Sequence, residues 1–447
     1  MNAGWIWVDT FVRGGDTLRS VRLKHEAGVL VDEQQGVAAQ DSDLLIGTAF
    51  PAFGNAHSHV FHRLLRGRTH ADGGTFWSWR DKMYAIAGAL APDSFERIAA
   101  ASFTEMVSSG WGAVGEFHYV HHRNDGVPYP DHDMEMALAR AAWSAGIRLT
   151  LLDTCYLAGS IGEGLASEQL RFGDGDAASW LERWFALRDR LAADHPEVVL
   201  GAAIHSIRAV PAAAIAAIAR GLPVDVPLHI HLSEQVAENE QSFAAYGQSP
   251  TEVLADAGVL SSRLSVVHAT HLTEGDIALL GAAGVHAVFC PTTEADLGDG
   301  IGPARELVDA GARLAVGSDQ NAVVDPLLEL RGLEAGERLR SQTRGRFTPA
   351  ELVGIGTRSG YASLGRSAPG EIGGLLDLVE VDGASVRTAG SLAEQLPLSG
   401  TASDVVRTIV AGRVAYDRSR DSARLARAAA DIARFAHDPA SGAEVTS

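Results

Sequence analysis

Residues 48–59 read TAFPAFGNAHSH, an apolar run that ends in two histidines one residue apart. An apolar run of this kind predicts a buried β-strand, and side chains at a spacing of two project from the same side of a strand. His57 and His59 could therefore reach a single metal ion from the end of this strand. Two polar residues near a strand end are also a common structural feature, so the rest of the chain must decide between these readings.

Seven further apolar runs follow, separated by stretches with helical periodicity such as 131–146 and 210–221, which close on a glycine. The runs occupy residues 112–120, 147–156, 198–208, 226–234, 264–272, 286–294 and 313–320. Strand–helix alternation repeated eight times predicts an α/β fold, a TIM-like (β/α)8 barrel.

Reactive side chains fall at the carboxyl ends of six of these predicted strands. They are His59, Tyr119, His205, His231, His268 and Asp319. In a barrel those ends converge on one face, where active sites are built. Structural histidines would have no reason to choose the same end of six strands, so the pattern predicts an active site.

Short strand-like runs flank the barrel on both sides, near 5–8, 20–23 and 27–31 and again near 376–382 and 405–416. We interpret them as a small β-sandwich domain built from both chain ends. The predicted division is residues 1–48 and 369–447 for the small domain with a C-terminal helix, and residues 49–368 for the barrel that carries the candidate metal ligands.

Composition excludes several classes of protein. The formal net charge of −19 disfavours nucleic acid and anionic membranes as partners. Cys155 and Cys290 are far apart and lie in apolar runs, which predicts buried free thiols and no cysteine-based zinc site. No apolar run approaches the ~18 residues of a membrane span, and no signal peptide is evident, so we expect a cytoplasmic protein.

The strand-end residues include a set of ligands suited to zinc. His57, His59 and His231 supply nitrogen and Asp319 supplies oxygen, and zinc in such a site lowers the pKa of bound water toward ~7. His268 is expected near that water, either as a further ligand or as a hydrogen-bond partner. Glu234, three residues after His231, would carry a proton there or, alternatively, cap the helix that follows.

Two arginines are candidates for binding a substrate. Arg80 follows the first strand and Arg208 follows the fourth, and each could take a carboxylate bidentately. Either could instead be a surface arginine paired with one of the 56 acidic side chains.

His118, His121 and His122, around Tyr119, are expected to be mostly solvated loop residues.

The spacing His-x-His, followed by His, His and Asp on later strands, resembles the amidohydrolase superfamily over nearly the whole chain. Strand four, GAAIHSIRAV, carries no lysine that could bridge two metals. The resemblance therefore implies a single metal ion, as in the deaminase branch of that superfamily.

The segments FWSWR, EFHYVHH and CPTTEADLGDG resemble more specifically the formimidoylglutamate deiminase family. That resemblance implies hydrolysis of N-formimino-L-glutamate, a dicarboxylate bearing a formimino group, on one Zn²⁺ per chain in a homodimer. By resemblance, His57, His59, His231 and Asp319 match metal ligands, Glu234, His268 and Asp319 match catalytic residues, and Arg80, Tyr119, His205 and Arg208 match substrate-binding residues.

The chain departs from the family pattern near the expected substrate. His62 stands where the family usually has Gln, and Gln320 and Asn321 stand where it usually has Ser and His. We expect His62 and Gln320 to contact the substrate, which leaves its identity open. The alternatives are a deiminase of N-formimino-aspartate or N-guanidino-glutamate, a nucleobase or triazine deaminase, or a binding protein without catalysis.

Overall fold

The fold is known from a computed structural model that describes residues 3–69 and 76–438. The chain begins with four strands, β1 (Ala3–Arg13), β2 (Asp16–Glu26), β3 (Val29–Gln34) and β4 (Leu44–Pro51). Gly14 and Gly15, with φ of 58° and 93°, make the two-residue turn between β1 and β2. Such a tight hairpin needs two positive φ angles, which glycine adopts without strain.

Eight parallel strands then pair in chain order, each with the next. They are β5 (Phe53–Ser58), β6 (Trp111–His118), β7 (Arg148–Cys155), β8 (Val199–Ile204), β9 (Leu228–Leu232), β10 (Leu264–His268), β11 (His286–Phe289) and β12 (Arg313–Val316). Each predicted run overlaps one of them. The first run also includes the end of β4, because residues 48–51 pair with β1 and β13 whereas β5 pairs with β6.

The barrel closes between β5 and the residues that follow β12. The His59 N–H donates to the Asp319 carbonyl at 2.9 Å, and the N–H groups of Ser318 and Asp319 donate to the His57 carbonyl at 3.1 and 3.0 Å. Gly317 allows this approach, because a Cβ there would lie 2.7 Å from the His57 carbonyl oxygen. We call this contact the closing seam. It brings two histidines of the first strand against the aspartate of the last.

Helices connect the strands and cover the barrel. They are α1 (Phe76–Ala89), α2 (Pro92–Ser108), α3 (Asp133–Ala145), α4 (Ala177–Asp194), α5 (Ala212–Gly221), α6 (Val236–Tyr246), α7 (Pro250–Asp256), α8 (Glu274–Ala283), α9 (Pro291–Leu297), α10 (Ala304–Ala310), α11 (Pro326–Ser341), α12 (Pro349–Gly354) and α13 (Gly360–Ser363). Short 3-10 segments add Val60–Leu65 and Ser167–Phe172. In the described residues no helix is long and apolar enough to cross a membrane.

The chain returns to the first sheet through β13 (Leu378–Val381), β14 (Val405–Val410) and β15 (Arg413–Asp417), with the short α14 (Leu396–Ser399) before β14. The mixed sheet has the order β15-β14-β13-β4-β1-β2-β3. Arg148 at the start of β7 donates to Asp377 just before β13, at 2.6 Å, and so joins the sheet to the barrel. The terminal helix α15 (Ser422–His437) packs on α2.

The predicted fold class is confirmed, with a (β/α)8 barrel and a β sheet built from both chain ends. The domain boundaries at residues 48 and 369 stay a prediction. Both cysteines are buried and free, as the apolar runs around them predict.

Candidate active site

The four predicted metal ligands lie together at the carboxyl end of the barrel. The Nε2 atoms of His57 and His231 are 3.2 Å apart. Asp319 Oδ1 lies 3.3 Å from His57 Nε2 and 3.6 Å from His59 Nε2. All four side chains are buried. Residues from the first, fifth and eighth barrel strands or their ends thus converge on one point.

Hydrogen bonds fix which ring nitrogen faces that point. His59 Nδ1–H donates to the Phe117 carbonyl at 2.8 Å, and His231 Nδ1–H donates to the His205 carbonyl at 2.9 Å. Burial lowers the pKa of His59 to about 3, and it also lowers the pKa of His231. These two rings are therefore neutral, with their Nε2 lone pairs directed inward, and His57 Nε2 lies next to them. Three imidazole nitrogens and one carboxylate oxygen gathered in this way fit a divalent cation such as zinc.

The closing seam holds Asp319 in an unusual backbone conformation. Its φ is 40°, and Asn321 has a φ of 56°. The Asn321 amide donates to the carbonyls of His59 and Asp319 at 3.0 and 3.1 Å, and its oxygen accepts from Ser318 Oγ at 2.7 Å. Positive φ at a non-glycine residue costs roughly 1–3 kcal/mol, and it persists where neighbouring contacts enforce it. Asn321 supplies those contacts.

His268 and Glu234 lie beside the four predicted metal ligands. His268 ends β10 with a φ of 71°. Its Nε2 lies 3.9 Å from Glu234 Oε1 and 4.0 Å from Asp319 Oδ2. Burial lowers the pKa of His268, but the surrounding carboxylates of Glu234, Asp319 and Glu294 outweigh it and raise that pKa to about 10. The side chain of Glu234 does not cap α6, which begins after Gln235 without a side-chain capping bond.

A cavity of about 190 Å³ adjoins these residues. Its walls are largely aromatic, from Trp79, Tyr84, Tyr119, Tyr156 and Phe172. It also includes every predicted substrate residue except Gln320, namely His62, Arg80, Tyr119, His205 and Arg208. A partly apolar cleft with a few converging polar groups is typical of a small-molecule site.

The residues that depart from the family pattern lie at or near this cavity. His62 Nε2 lies 3.0 Å from the Tyr119 hydroxyl. The Gln320 amide oxygen accepts from Trp79 Nε1 at 3.1 Å, and its nitrogen donates to Asp296 at 2.7 Å. In the described residues Gln320 therefore contacts the cavity wall through Trp79 and does not itself line the cavity.

Sequence reasoning assigned no role to two buried carboxylates of the site. Glu238 on α6 lies 3.3 Å from Arg208 Nε, while Glu234 Oε2 accepts from Arg208 Nη2 at 3.4 Å. Glu294 on α9 accepts from His268 Nδ1–H at 3.3 Å. In the sequence, Glu238 cannot be distinguished from a solvent-facing helix residue. Glu294 lies in CPTTEADLGDG, one of the segments typical of the family, and this was the only signal for it.

The expectation that His118, His121 and His122 are mostly solvated is wrong, because all three are buried. His121 Nδ1 lies 2.7 Å from Glu135 Oε1 and His118 Nε2 lies 3.4 Å from the same atom. The Arg183 guanidinium, 3.4 Å from that carboxylate oxygen, is also part of the group. A guanidinium so close disfavours a metal cation, so we interpret the group as a buried ion network that supports the loop after β6.

Comparison with known proteins gives consistent results. The model of the amidohydrolase family matches residues 48–415. The formimidoylglutamate deiminase of Pseudomonas aeruginosa is 38% identical, covering 82% of this chain and 83% of that protein. A 5-methylthioadenosine/S-adenosylhomocysteine deaminase of Natronomonas pharaonis is 26% identical, covering 90% and 91%. The crystal structure of an amidohydrolase from Brucella melitensis has a TM-score of 0.88 and 30% identity, covering 97% and 99%.

Proposed function

Because the chain is a member of the amidohydrolase family and hydrolyses carbon–nitrogen bonds, we propose that its reaction is the deimination of N-formimino-L-glutamate. The products would be N-formyl-L-glutamate and ammonia. The observation that carries this proposal is that two arginines, Arg80 and Arg208, line the same cavity as three of the four predicted metal ligands, His59, His231 and Asp319. The deiminase of Pseudomonas aeruginosa supports the same substrate.

The charges of the cavity suit this substrate. N-formimino-L-glutamate has two carboxylates, and a guanidinium binds a carboxylate through two parallel N–H···O bonds. Arg80 lies with its guanidinium carbon 5.7 Å from the centre of the Tyr84 ring, and Glu234 and Glu238 hold Arg208. We assign one carboxylate to each arginine. The amidine end is then directed toward His231 and Asp319.

We assign one zinc ion per chain to His57, His59, His231 and Asp319. When bound, zinc supplies a Lewis acid that lowers the pKa of a coordinated water molecule toward ~7. The inward Nε2 lone pairs of His59 and His231 and the lowered pKa of both rings support this assignment. His268 is then a hydrogen-bond partner of the attacking water, because its Nδ1 bonds Glu294 and its Nε2 faces Asp319 and Glu234.

The remaining chemistry is proton transfer by residues of the chain. His268 orients the water, and Asp319 accepts one of its protons as the oxygen bonds to the formimino carbon. Glu234, 3.9 Å from His268 Nε2, delivers a proton to the imino nitrogen. Asp319 then passes its proton to the same nitrogen, and Glu234 takes the remaining hydroxyl proton as the bond between that nitrogen and the carbon breaks. Ammonia leaves, the carbonyl of the formyl product forms, and both carboxyl groups return to their initial states. Assistance by one such acid–base group is typically worth ~10²–10⁴-fold in rate.

A second candidate is a deaminase of a nucleobase or a related aromatic ring. Five aromatic side chains line the cavity and could stack on such a ring, and the relative from Natronomonas pharaonis is named as a deaminase of adenine-containing compounds. This candidate gives no role to Arg80 and Arg208. We therefore rank it below the acyclic dicarboxylate.

The test is an ammonia-release assay over a panel of substrates. The panel contains N-formimino-L-glutamate, N-formimino-L-aspartate, N-guanidino-L-glutamate and 5′-methylthioadenosine, each with enzyme of measured zinc content. We expect the highest kcat/KM with N-formimino-L-glutamate. Activity should disappear with a chelator and return with zinc. Zinc-loaded enzyme that releases no ammonia from N-formimino-L-glutamate would reject the substrate assignment, and a preference for 5′-methylthioadenosine would establish the second candidate.

A further inference from the structure

The imidazole of His268 is held from the side that faces away from the cavity. Its Nδ1 lies 3.3 Å from Glu294 Oε1, while its Nε2 faces Glu234 and Asp319. The ring is buried and stacks on the ring of His231, with centroids 5.7 Å apart and planes 12° apart. The two nitrogens of His268 therefore have different environments, one buried against a carboxylate and one at the site of reaction.

Glu294 is itself held rigidly. The same Oε1 atom accepts from the Cys290 backbone N–H at 2.8 Å, and the Glu294 N–H donates to the Cys290 carbonyl at 2.9 Å. The side chain is 6% exposed, and in the described residues it does not line the cavity. It cannot contact a substrate from this position. Any effect on the reaction must pass through His268.

A carboxylate at Nδ1 fixes the orientation of the ring. The Nδ1–H of His268 donates to Glu294, and Nε2, on the other side of the ring, then points toward Glu234 and Asp319. Without that acceptor Nδ1 loses this hydrogen bond, and the ring can turn Nε2 away from the place where the attacking water would lie.

We propose that Glu294 is a positioning residue that holds the His268 ring through Nδ1, so that Nε2 faces the reacting groups. This inference rests on the proposed function for its kinetic consequence. It does not rest on that function for the hydrogen bond itself, which can be observed without a substrate. The backbone of His268 and Ala269 is also held at positive φ, 71° and 48°.

Two substitutions separate the hydrogen bond from the volume of the side chain. In Glu294→Gln an amide oxygen can replace Oε1 and accept from both His268 and Cys290. In Glu294→Leu no acceptor remains at similar volume. We expect kcat to fall about 10- to 100-fold in Glu294→Leu, the range typical for loss of a residue that orients a catalytic group. In Glu294→Gln we expect about a tenth or more of kcat to remain, with KM and zinc content unchanged in both variants.

Glu329 on α11 provides the matched control. It is also a buried carboxylate, and it accepts from the backbone N–H of Thr292 on α9 at 3.0 Å without contacting His268. Glu329→Leu loosens the same helix and leaves the imidazole bonded. We expect it to lower thermal stability while kcat per zinc-loaded molecule stays within about threefold of the parent, as for substitutions outside the reacting groups.

A spectroscopic measurement completes the test independently of turnover. With ¹⁵N-labelled histidine, the zinc-loaded parent should show a His268 Nδ1–H signal in addition to those of His59 and His231, and this further signal should persist in Glu294→Gln and be absent in Glu294→Leu. The proposal is overturned if Glu294→Leu keeps the parent kcat, if it loses zinc, or if Glu329→Leu loses as much kcat. If the parent does not turn over N-formimino-L-glutamate, the proposed function fails, and the Nδ1–H signal alone then decides the role of Glu294.

Discussion

Replacement of Arg208 gives the sharpest test of how the cavity binds a dicarboxylate. A bidentate bond between a guanidinium and a carboxylate is worth about 1.5–3 kcal/mol beyond what water supplies. At 1.36 kcal/mol per tenfold change, Arg208→Met should lower kcat/KM for N-formimino-L-glutamate about 10- to 150-fold. Most of the change should appear in KM, because the carboxylate does not change during the reaction.

Arg208 also contacts Glu234, so a second effect has to be separated from lost binding. Its Nη2 donates to Glu234 at 3.4 Å, and its Nε lies 3.3 Å from Glu238. Removal of the Arg208 guanidinium leaves the carboxylates of Glu234 and Glu238 without this partner, and burial already raises the pKa of Glu238. An effect through Glu234 would lower kcat for every substrate. An effect through a substrate carboxylate would appear only when that carboxylate is present.

Truncated substrates distinguish the two effects. N-formimino-4-aminobutyrate lacks the α-carboxylate, and N-formimino-2-aminobutyrate lacks the γ-carboxylate. If Arg208 binds one of the two, the penalty of Arg208→Met disappears for the substrate without that group and persists for the other, and Arg80→Met shows the reverse pattern. Ammonia release measures all nine combinations of three enzymes and three substrates. Arg358→Met, at an exposed arginine paired with Glu371, is the control.

An equal penalty on all three substrates would refute direct recognition of a carboxylate by Arg208.

Three further predictions follow from other parts of the molecule. Glu234→Gln should lower kcat by ~10²–10⁴-fold with zinc content unchanged, since it removes the proposed proton carrier; retention of the parent rate would contradict that role. Gly317→Ala should lose zinc and about 1–3 kcal/mol of unfolding free energy, because the new Cβ would lie 2.7 Å from the His57 carbonyl oxygen. Its control, Gly88→Ala in α1, meets nothing within 4 Å and should be neutral or stabilising in a denaturant titration. Asp404 is buried, and although burial raises its pKa, hydrogen bonds from its arginine partner and neighbouring groups lower that pKa to about 2. A lowered folded pKa gives stability that is present above the unfolded pKa of ~4 and is lost as the pH falls toward 2. The stability difference between the parent and Asp404→Asn should therefore be largest at neutral pH and shrink below pH ~4.

The barrel was predictable because its strands follow a simple rule. Each buried parallel strand is apolar at its start and polar at its carboxyl end. This order can be recognised in the sequence without any knowledge of contacts. The rule identified the runs that contain His231 and His268 and placed both at one face. The rule missed the break between β4 and β5, because an apolar run does not show which of the two sheets its residues belong to.

The supporting residues of the site were not predictable, because their roles depend on contacts between different βα units and not on a pattern within one strand. Glu294 contacts His268 from the next βα unit, and Glu238 contacts Arg208 from the helix after β9. The periodicity around either carboxylate is that of a solvated helix residue, and only the family-like segment CPTTEADLGDG pointed to Glu294. The same holds for His121, whose burial depends on Glu135 from the helix that follows. Contacts between units depend on how the barrel packs, and the spacing of apolar residues along one strand or helix carries no information about them.

The closing seam connects the stability of the barrel with the proposed metal ligands. The hydrogen bonds that join β5 to the end of β12 involve the backbone of His57, His59 and Asp319, whose side chains are three of the four proposed ligands. A cation bound by those side chains would also hold the first strand to the last. Binding to the folded state alone stabilises it by about 2.7 kcal/mol at a hundredfold excess over Kd. Removal of the metal should thus lower the unfolding temperature as well as activity, and it should increase hydrogen exchange first at the amides of Ser318 and Asp319, because these amides make the seam. Loss of activity on chelation without faster exchange there would mean that the seam is stable without the cation and that the two functions of these residues are separate.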